Sequence, residues 1–376
     1  MFDTGEDMQS HDPNAAALPG SGIFGLPHAP EQARVVLVPV PCEATTSYGA
    51  GTARGPAAIL AASRQVDLFD VEVGRPYEAG IAMLPESAEV QAWNAEARQA
   101  ALRVHAIGGR VDGDPETRRA LERVNELSGR IHAHVHETVE RWLRAGKIVG
   151  VVGGDHSVSY GAIEVIAARH PGLGILHVDA HADLRREYEG FEWSHASIME
   201  NVMHRIPQVG RLVQVGIRDL CEEESERIAT SAGRIRTWYD IELARQRFEG
   251  ATWAEQVGRI VKDLPGEVYV SFDIDGLDPQ FCPHTGTPVP GGLSFHEAGY
   301  LVGAVARSGR TIVGFDLTEV APDPGGSEWD ANVGARLLYK LIGWTLWSRG
   351  MSRGGLESMS RTPGAATSGG DHAVES

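Results

Sequence analysis

The middle of the chain alternates between short apolar runs and longer amphipathic stretches. The runs are rich in valine, isoleucine and leucine, and they span residues 34–40, 80–84, 147–154, 174–180, 211–217, 234–239, 267–275 and 311–317. Several are continuously apolar, which is typical of strands that are buried on both faces of a sheet. The pattern therefore predicts about eight strands.

Amphipathic segments separate many of these strands. Residues 118–144 have the periodicity of one or two helices, and residues 293–307 and 333–347 predict further helices. Strands that alternate with helices form a mainly parallel sheet with helices on both faces. The predicted fold class is therefore α/β, with three layers in the order α/β/α.

The two ends of the chain differ from its middle. Residues 1–30 are rich in Gly, Pro, Asp and Ala without periodicity, and they predict an N-terminal extension in the form of an extended arm. Residues 351–376 have the composition of a disordered C-terminal tail. No linker or internal repeat divides residues 31–350, so we expect one domain there.

Composition and charge narrow the classes of function. Of the 376 residues, 42% are hydrophobic and 23% are charged, which is the balance of a globular protein with a sizeable core. The net charge of −17 argues against a nucleic-acid surface, which needs a basic patch. It mildly favours cationic substrates, although solubility alone also explains it. No apolar run approaches the ~20 residues of a membrane-spanning helix.

Cysteine usage and the N-terminal sequence predict a cytoplasmic location. Cys42, Cys221 and Cys282 are widely spaced and odd in number, so they form neither a disulfide framework nor a CxxC metal motif. The acidic, polar start of the chain does not have the pattern of a secretory signal. A reducing cytoplasm is therefore expected.

Four of the apolar runs end in polar residues that can bind metals. They end in the sequences VVGGDHS, HVDAHAD, SFDIDGLDP and FDLTEV. Ligands of open α/β sheets bind at the carboxyl ends of the strands. The four endings therefore predict one site that is assembled from distant segments.

The sequence DAHAD supplies three candidate ligands. Asp179, His181 and Asp183 lie at positions i, i+2 and i+4 as the chain leaves a strand, so their side chains can point the same way. Carboxylates and an imidazole suit Mn, Ni, Fe or Zn. The alternative is that these are three polar loop residues without a shared role.

The sequence SFDIDGLDP repeats this arrangement on another strand. Asp273 and Asp275 would repel each other strongly at a strand end unless cations neutralised them. Asp278 precedes a proline, which is ordinary turn chemistry, and we leave it outside the metal site.

The sequence GGDHS adds a second histidine. The paired glycines before Asp155 and His156 let the backbone turn tightly. Alternatively, Asp155 or Ser157 caps a helix without any chemical role. With the other two motifs, His156 completes a set of four carboxylates and two imidazoles. Such a set matches two divalent ions that share bridging carboxylates, with a water or hydroxide between them.

These three motifs resemble the signatures of the ureohydrolases, which include arginases, agmatinases, guanidinobutyrases and guanidine hydrolases. The resemblance covers roughly residues 35–347, because SYGAGTARGPAAIL and GFDLTEVAP also resemble that family. It implies the arginase-like three-layer fold and a catalytic domain over residues 31–350. It also implies that a metal-bridging hydroxide cleaves a guanidino C–N bond, which releases urea and ammonia or an amine.

The resemblance also implies how two divalent ions, Ni²⁺ or Mn²⁺, would be held. One ion would be bound by a histidine and three aspartates, namely His156, Asp179, Asp183 and Asp273. The other would share two of these aspartates and would be bound by His181, Asp179, Asp273 and Asp275.

Three residues would have catalytic roles by the same resemblance. Asp183 would also orient the hydroxide, and Glu319 in FDLTEV would pair with the guanidinium group of the substrate. His195 in WSHAS would transfer a proton to the leaving amine and contact the substrate. The alternative for His195 is a surface histidine in an acidic loop.

The remaining histidines of interest are not expected to bind metal. His177 lies on a predicted strand, two residues before Asp179, and is interpreted as a core residue with its hydrogen bonds satisfied. His132 and His136 would share one face of a helix and His134 would point elsewhere. Because no carboxylate motif accompanies them, we interpret all three as packed or solvated.

Two departures from the family pattern bear on the substrate. Arg185 stands where arginases carry an asparagine that reads the amino-acid head of arginine, and HASIM replaces the agmatinase pattern HGTxF from His195 onward. The SHAS sequence, residues 216–228 and the long arm are similar to nickel-dependent guanidine hydrolases and their biguanide-cleaving relatives. Residues 216–228 alone are equally explained as the solvated start of a helix.

The expected substrate is therefore a small guanidine: guanidine itself, an alkylguanidine, or a biguanide such as metformin. Agmatinase or guanidinobutyrase activity is the alternative. The arm of residues 1–30 could narrow the pocket further by closing over its mouth.

Two other classes of function fit the sequence less well. A histone-deacetylase-like amidohydrolase uses one metal and a His–His pair, and this sequence contains no such dipeptide. A non-catalytic partner subunit of a hetero-oligomeric hydrolase would not need all six ligands and Glu319. The resemblance to the family further implies a homo-oligomer, either a trimer or a hexamer.

Overall fold

A computed structural model describes residues 12–18, 20–111 and 113–352. The disordered tail predicted for residues 351–376 therefore lies almost wholly outside the described residues. No helix in the described part of the chain is long and apolar enough to cross a membrane.

One parallel sheet of eight strands forms the centre of the molecule. The strands are β1 (Val35–Val40), β2 (Ile81–Met83), β3 (Ile148–Gly153), β4 (Leu173–Val178), β5 (Val209–Ile217), β6 (Ile235–Tyr239), β7 (Glu267–Asp273) and β8 (Thr311–Thr318). Each apolar run of the sequence corresponds to one strand, which confirms the prediction. The sheet is parallel at every pairing, whereas the sequence predicted only a mainly parallel one.

Ten α-helices lie along the described part of the chain. They are α1 (Gly55–Ala62), α2 (Ala88–His105), α3 (Pro115–Arg144), α4 (Tyr160–Arg169), α5 (Ile198–Arg205), α6 (Glu222–Ala229), α7 (Asp240–Phe248), α8 (Trp253–Asp263), α9 (Phe295–Arg307) and α10 (Trp329–Ser348). The segment 118–144 is one helix rather than two. Helix α3 begins at a cap in which the Asp114 carboxylate accepts from the N–H groups of Glu116 and Thr117.

Helices cover both faces of the sheet because neighbouring strand residues point in opposite directions. On β1, Val35 and Leu37 join the core beneath α1 and α8 to α10. The intervening Val36 and Val38 join a second core beneath α3 and α4. A strand with helices on both faces is apolar at every position, which explains the continuous runs. The three-layer α/β/α prediction is confirmed.

The order of the strands brings four of them together. Along the sheet the order is β2-β1-β3-β8-β7-β4-β5-β6, so the strands that end in the four polar motifs, β3, β8, β7 and β4, are consecutive neighbours. All four run in the same direction, so their carboxyl ends form one edge of the sheet. The candidate site lies along that edge.

Part of the N-terminal segment packs into the main core. Ile23, Phe24 and Leu26 are buried in the main core, and the Phe24 ring lies 4.9 Å from that of Tyr339 on α10. The Phe24 N–H donates to Ser63, which follows the C-terminus of α1. Since α1 leads away from the carboxyl ends of the strands, this part of the arm does not lie across the mouth of the site.

Candidate metal centre and active site

The predicted site residues come from four strand ends and lie side by side. His156 follows β3, Asp179 follows β4, Asp273 ends β7 and Glu319 follows β8. All four are at least 96% buried. In the sheet order β3-β8-β7-β4, each of these strands is hydrogen-bonded to the next, so the sheet fixes the spacing of the four residues.

One group of side chains surrounds His156. Its Nδ1 atom lies 3.1 Å from Asp179 Oδ2, 3.2 Å from Asp183 Oδ2 and 3.3 Å from Asp273 Oδ2. The group contains one imidazole and three carboxylates at hydrogen-bonding range. It contains the four residues that the family resemblance assigned to the first ion.

A second group surrounds His181. Its Nδ1 atom lies 3.1 Å from Asp275 Oδ2 and 3.4 Å from Asp179 Oδ1. Asp179 therefore turns one oxygen towards each histidine, as a bridging carboxylate must. Asp273 turns Oδ2 towards His156, while its Oδ1 accepts from the N–H of Asp275.

The electrostatics of these groups favour cations. Burial raises the pKa of Asp183 to about 6, and the charge of Asp179 adds to the shift. Burial and the charges of Asp275 and Asp179 raise the pKa of Asp273 well above its usual range. Within the described residues, no lysine or arginine side chain pairs with the four aspartates of the two groups. The surplus of buried carboxylates is therefore a donor set that divalent cations would stabilise.

The neighbouring carboxylates raise the pKa values of both histidines. Burial opposes protonation of His181, but the neighbouring carboxylates, Asp275 first, outweigh it and raise its pKa to about 12. Burial likewise opposes protonation of His156, yet its three carboxylate neighbours raise its pKa well above the ordinary value. Both shifts favour the protonated imidazoles, so the carboxylates of this site favour positive charge beside them.

Two of the candidate catalytic carboxylates occupy unusual backbone conformations. Asp183 has a φ of 55° and Glu319 a φ of 63°, both in the left-handed region that costs a non-glycine residue of order 1 kcal/mol. The Glu319 N–H donates to the carbonyl of Gly154 at 2.7 Å, and Thr285 donates to the carbonyl of Glu319. Tertiary hydrogen bonds thus hold Glu319 where its side chain enters the site.

The paired glycines before His156 are required by a close approach. A Cβ atom at Gly154 would overlap the carbonyl oxygen of Cys42, in the segment that follows β1. Asp155 caps the turn that follows, because its carboxylate accepts from Ser157. Asp155 therefore acts as a cap, as the alternative interpretation of the sequence had it, and the capped turn orients His156.

Glu319 lies next to the metal-binding groups without joining them. Its Oε1 atom accepts from the His156 N–H at 2.9 Å, and no hydrogen bond of the described residues uses its Oε2 atom. Burial raises the pKa of this carboxyl well above its usual range, with a contribution from the charge of Asp155. A cationic group bound at Oε2 would stabilise the ionised carboxylate and lower its pKa again.

His195 faces the same cavity as His181 and Asp183. It begins a short turn (His195–Ser197) capped by Ser194, and its Nδ1 atom lies 3.5 Å from the Thr45 hydroxyl. Burial lowers the pKa of His195 to about 3, and the charge of His181 contributes. This shift favours the neutral ring, which has a lone pair that can accept a proton.

The mouth above the two groups is a cavity of about 180 Å³. Tyr48, Arg185, Tyr188 and Asp219 lie on its rim. The Arg185 guanidinium lies 5.1 Å from the centre of the Tyr188 ring. The adjacent Arg186 lines a different depression and does not face the mouth.

Two supporting residues of His156 had no role in the sequence analysis. The Ser271 hydroxyl lies 2.8 Å from His156 Nε2 and donates to both oxygens of Asp316 at 3.0 Å. Both residues are fully buried, on β7 and β8. Ser271 precedes Asp273 by two positions, so it points to the same side of the strand. That spacing is the signal that could have identified it.

The histidines of α3 lie away from the two metal-binding groups. His132 packs against the rings of Tyr160 and Trp193, and His136 pairs with Glu164 at 2.7 Å. Among the described residues, both clusters that could hold a metal lie at the strand ends. Asp278 caps its own turn by accepting from Gln280, in agreement with the interpretation from sequence.

Comparison with known proteins identifies the family. Residues 33–343 match the family model for arginase. The chain belongs to the arginase family. It is thus a ureohydrolase, an enzyme that hydrolyses C–N bonds in linear amidines, which confirms the activity class predicted from the motifs. A cluster of His and Asp side chains that could hold a metal ion agrees with that membership.

Relatives of this arginase-family chain include enzymes that act on longer guanidino compounds. It is 35% identical to an N(1)-aminopropylagmatine ureohydrolase of Thermus thermophilus, over 85% of this chain and 94% of the relative. It is 29% identical to agmatinase of Bacillus anthracis, over 84% of this chain and 93% of the relative.

Solved structures show the same fold. The crystal structure of a hypothetical agmatinase from Burkholderia thailandensis has a TM-score of 0.67 at 23% identity, and covers 90% of this chain and 93% of its own. Proclavaminate amidino hydrolase from Streptomyces clavuligerus has a TM-score of 0.66 at 23% identity, over 89% of this chain and 99% of its own. The arginase-like fold predicted from the motifs is confirmed.

Proposed function

We propose that this ureohydrolase cleaves a guanidino C–N bond with the help of two divalent metal ions, Mn²⁺ or Ni²⁺, and releases urea. One observation carries the proposal: two histidine-centred groups of carboxylates share Asp179, which turns one oxygen to each. Six side chains would hold the ions, in the sets His156, Asp179, Asp183, Asp273 and His181, Asp179, Asp273, Asp275. When bound, such a pair of ions makes a hydroxide nucleophile available near neutral pH.

The protein would orient the substrate through Glu319. A guanidinium carbon is a poor electrophile because its charge is delocalised, so its position relative to the nucleophile matters. The free Oε2 edge of Glu319 lies beside the His156 group, and a carboxylate that binds two guanidinium N–H groups fixes the plane of that cation. Binding a cation would also stabilise the charged form of Glu319, which burial disfavours.

Asp183 and His195 would handle protons. Asp183 contacts His156 and also lines the cavity, so its carboxylate can accept a hydrogen bond from the attacking oxygen. His195 lines the same cavity, so its imidazole can accept a proton and pass it to the leaving amine.

The substrate that we propose is a guanidine with an amine-bearing tail, of the agmatine type. The relatives support it, since those at 35% and 29% identity are named for aminopropylagmatine and agmatine. The mouth supports it as well. The Asp219 carboxylate on the rim makes no hydrogen bond or ion pair within the described residues, and the exposed Tyr48 ring lies nearby. A carboxylate and an aromatic face are suited to an ammonium group.

A small guanidine is the second candidate. The HASIM sequence in place of HGTxF favours it, and so does Arg185, whose charge faces the mouth. The described part of the arm does not support a small guanidine, because Ile23, Phe24 and Leu26 are packed in the main core and do not line the mouth. Arg185 could equally attract the carboxylate of guanidinobutyrate, which makes that compound the third substrate to compare.

A urea-release screen tests the proposal. Protein loaded with Mn²⁺ or Ni²⁺ is assayed with guanidine, methylguanidine, metformin, agmatine, N(1)-aminopropylagmatine, guanidinobutyrate and arginine, with kcat/KM as the measure. We expect an agmatine-type compound to exceed guanidine and methylguanidine by at least tenfold. A tenfold preference for a small guanidine would replace the proposed substrate and keep the chemistry. No urea from any compound in metal-loaded protein would refute the chemistry.

The assembly that we propose is a homo-oligomer, a trimer or a hexamer, working in the cytoplasm. A non-catalytic subunit in a mixed assembly would not need all six proposed ligands, and this chain carries all six. Metal analysis of the purified chain together with light scattering would check both points. Two ions per chain in an oligomer of this chain alone are expected.

A further inference from the structure

A buried histidine that is outside the predicted ligand set contacts the shared carboxylate. His177 lies on β4, is completely buried, and has its Nε2 atom 2.8 Å from Asp179 Oδ2. The same oxygen faces His156 Nδ1 at 3.1 Å. His177 therefore contacts the oxygen with which Asp179 would bind the first ion.

The other nitrogen of His177 is also engaged. Gln214, buried on β5, places its Nε2 atom 3.1 Å from His177 Nδ1 and 2.7 Å from the carbonyl oxygen of Ala182. The Gln214 Oε1 atom accepts from the Thr237 hydroxyl on β6 at 2.9 Å. Since a carbonyl oxygen only accepts, the amide nitrogen of Gln214 must face Ala182, and the same NH₂ group donates to His177.

These hydrogen-bond partners determine which ring nitrogen of His177 carries the proton. Nδ1 accepts from Gln214, so in the neutral ring the proton is on Nε2 and points at Asp179. His156, His177, Asp179 and Asp183 are close enough together to be read as one metal cluster. However, His177 has no lone pair left for an ion, because Nδ1 accepts from the amide and Nε2 carries the proton.

We propose that Thr237, Gln214 and His177 form a positioning relay that fixes the orientation of the Asp179 carboxylate between the two metal ions. The inference rests on the proposed two-metal function. His177 and Gln214 are positioning residues: they act on the ions and the substrate through Asp179. Hydrogen-bond partners of metal ligands fix ligand orientation and typically change metal affinity or activity about 10–100-fold when they are removed.

The relay also links the site to strands that bear none of its motifs. Asp179 belongs to the segment after β4, while Gln214 and Thr237 lie on β5 and β6, the last two strands at that side of the sheet. Their hydrogen bonds follow the strand register, which pairs His177 with Gln214 and Gln214 with Thr237. The orientation of Asp179 therefore depends on the pairing of three consecutive strands.

Two pairs of variants test the relay at Gln214 and His177. Gln214→Met removes the donor to His177 and keeps the volume of the side chain. Its matched control is Gln256→Met, since Gln256 is equally buried and its amide also donates to a backbone carbonyl, that of Leu243, on a helix outside the site. His177→Gln keeps an N–H that can reach Asp179, whereas His177→Phe keeps a flat ring without one.

The readouts are Co²⁺ affinity and stoichiometry, the visible spectrum of the Co²⁺ form, melting temperature, and kcat and KM. For Gln214→Met and His177→Phe we expect about 10–100-fold weaker binding of one Co²⁺ ion, an altered spectrum, and a lower kcat with KM nearly unchanged. His177→Gln should restore most of the affinity. Gln256→Met should lower the melting temperature alone.

The outcomes separate the two proposals. Gln214→Met and Gln256→Met with equal Co²⁺ affinities and spectra would overturn the relay, as would His177→Phe and His177→Gln with equal affinities. Wild-type protein that binds two Co²⁺ ions but releases no urea would overturn the proposed reaction and leave the relay standing. Variants that unfold are replaced by Thr237→Val, which removes only the outermost hydrogen bond and should shift the spectrum in the same direction.

Discussion

At the scale of single residues, the site is defined by an excess of buried carboxylates. Burial and mutual repulsion raise the pKa values of Asp183, Asp273 and Glu319, so a bound cation would lower the cost of ionising each of them. Asp179 differs from them. Burial would raise its pKa, but His177, His156 and His181 hold it well below the ordinary value. The histidine neighbours of Asp179 therefore favour its ionised form.

Replacing Asp179 tests this distinction. Asp179→Asn keeps the size of the side chain and removes the charge that both histidine groups share, so we expect both metal ions and nearly all urea release to be lost. Metal content per chain is measured by elemental analysis. Asp278→Asn is the control, because Asp278 belongs to the same type of motif but caps a turn. Two ions retained in Asp179→Asn would disprove the shared-carboxylate assignment.

Replacing Glu319 should impair substrate binding and leave metal binding unchanged. In Glu319→Gln the side-chain oxygen can still accept from the His156 N–H, but the charge that faces the substrate is gone. A hydrogen bond to a charged group contributes about 1.5–3 kcal/mol, so kcat/KM should fall roughly tenfold to hundredfold with metal content intact. Steady-state kinetics and metal analysis of the same sample check this. Unchanged kinetics would remove Glu319 from the mechanism.

At the scale of elements, loops between strands and helices complete the site. The loop after β7 supplies Thr285, which donates to the carbonyl of Glu319, and Thr287, whose hydroxyl lies 3.4 Å from Asp275 Oδ2. His284 anchors this loop to α10 through Asp330 at 2.9 Å and also lies 3.2 Å from Asp323. A partly buried ion pair between His284 and Asp330 thus holds the loop that contacts two residues of the site.

The His284 anchor should make stability depend on pH. The hydrogen bond to Asp330 raises the pKa of His284 above its unfolded value, so the fold favours the protonated ring. This contribution is complete below the unfolded pKa of about 6.5 and is lost as the pH rises through the higher folded value. The melting temperature of wild type should therefore exceed that of His284→Gln most at about pH 5.5, and the difference should shrink towards about pH 9. A difference that is constant with pH would contradict the anchor.

At the scale of the whole molecule, the site joins segments that are far apart in sequence. It draws on the turns after β3, β4, β7 and β8, so no single segment can hold a metal ion, and binding should stabilise the fold as a whole. A ligand at a concentration one hundred times its Kd contributes about 2.7 kcal/mol per site.

Removal of metal is the corresponding experiment. Chelation should lower the melting temperature of wild type, and Mn²⁺ or Ni²⁺ should restore it. Asp179→Asn should melt at the same temperature with and without chelator. Equal melting of metal-loaded and chelated wild type would show that the groups hold no ion.

Much of this architecture follows from the sequence because it depends on local geometry. Apolar runs identified all eight strands, and the runs that are continuously apolar reflect strands that lie beneath helices on both sides and have no polar face. The i, i+2, i+4 spacing of Asp179, His181 and Asp183 showed that they could converge, because that periodicity belongs to the backbone itself.

Tertiary structure decided the rest. The motifs occur along the chain in the order β3, β4, β7, β8, but the sheet places them in the order β3, β8, β7, β4. The pairing of β3 with β8 joins residues as distant as Gly150 and Phe315. The same packing places Arg185 in the lining of the mouth and Arg186 in the lining of a different depression. It also gave His177 a donor on a neighbouring strand, which fixes its proton towards Asp179. Such relations depend on strand register and on side chains from distant segments, and local spacing carries no information about either.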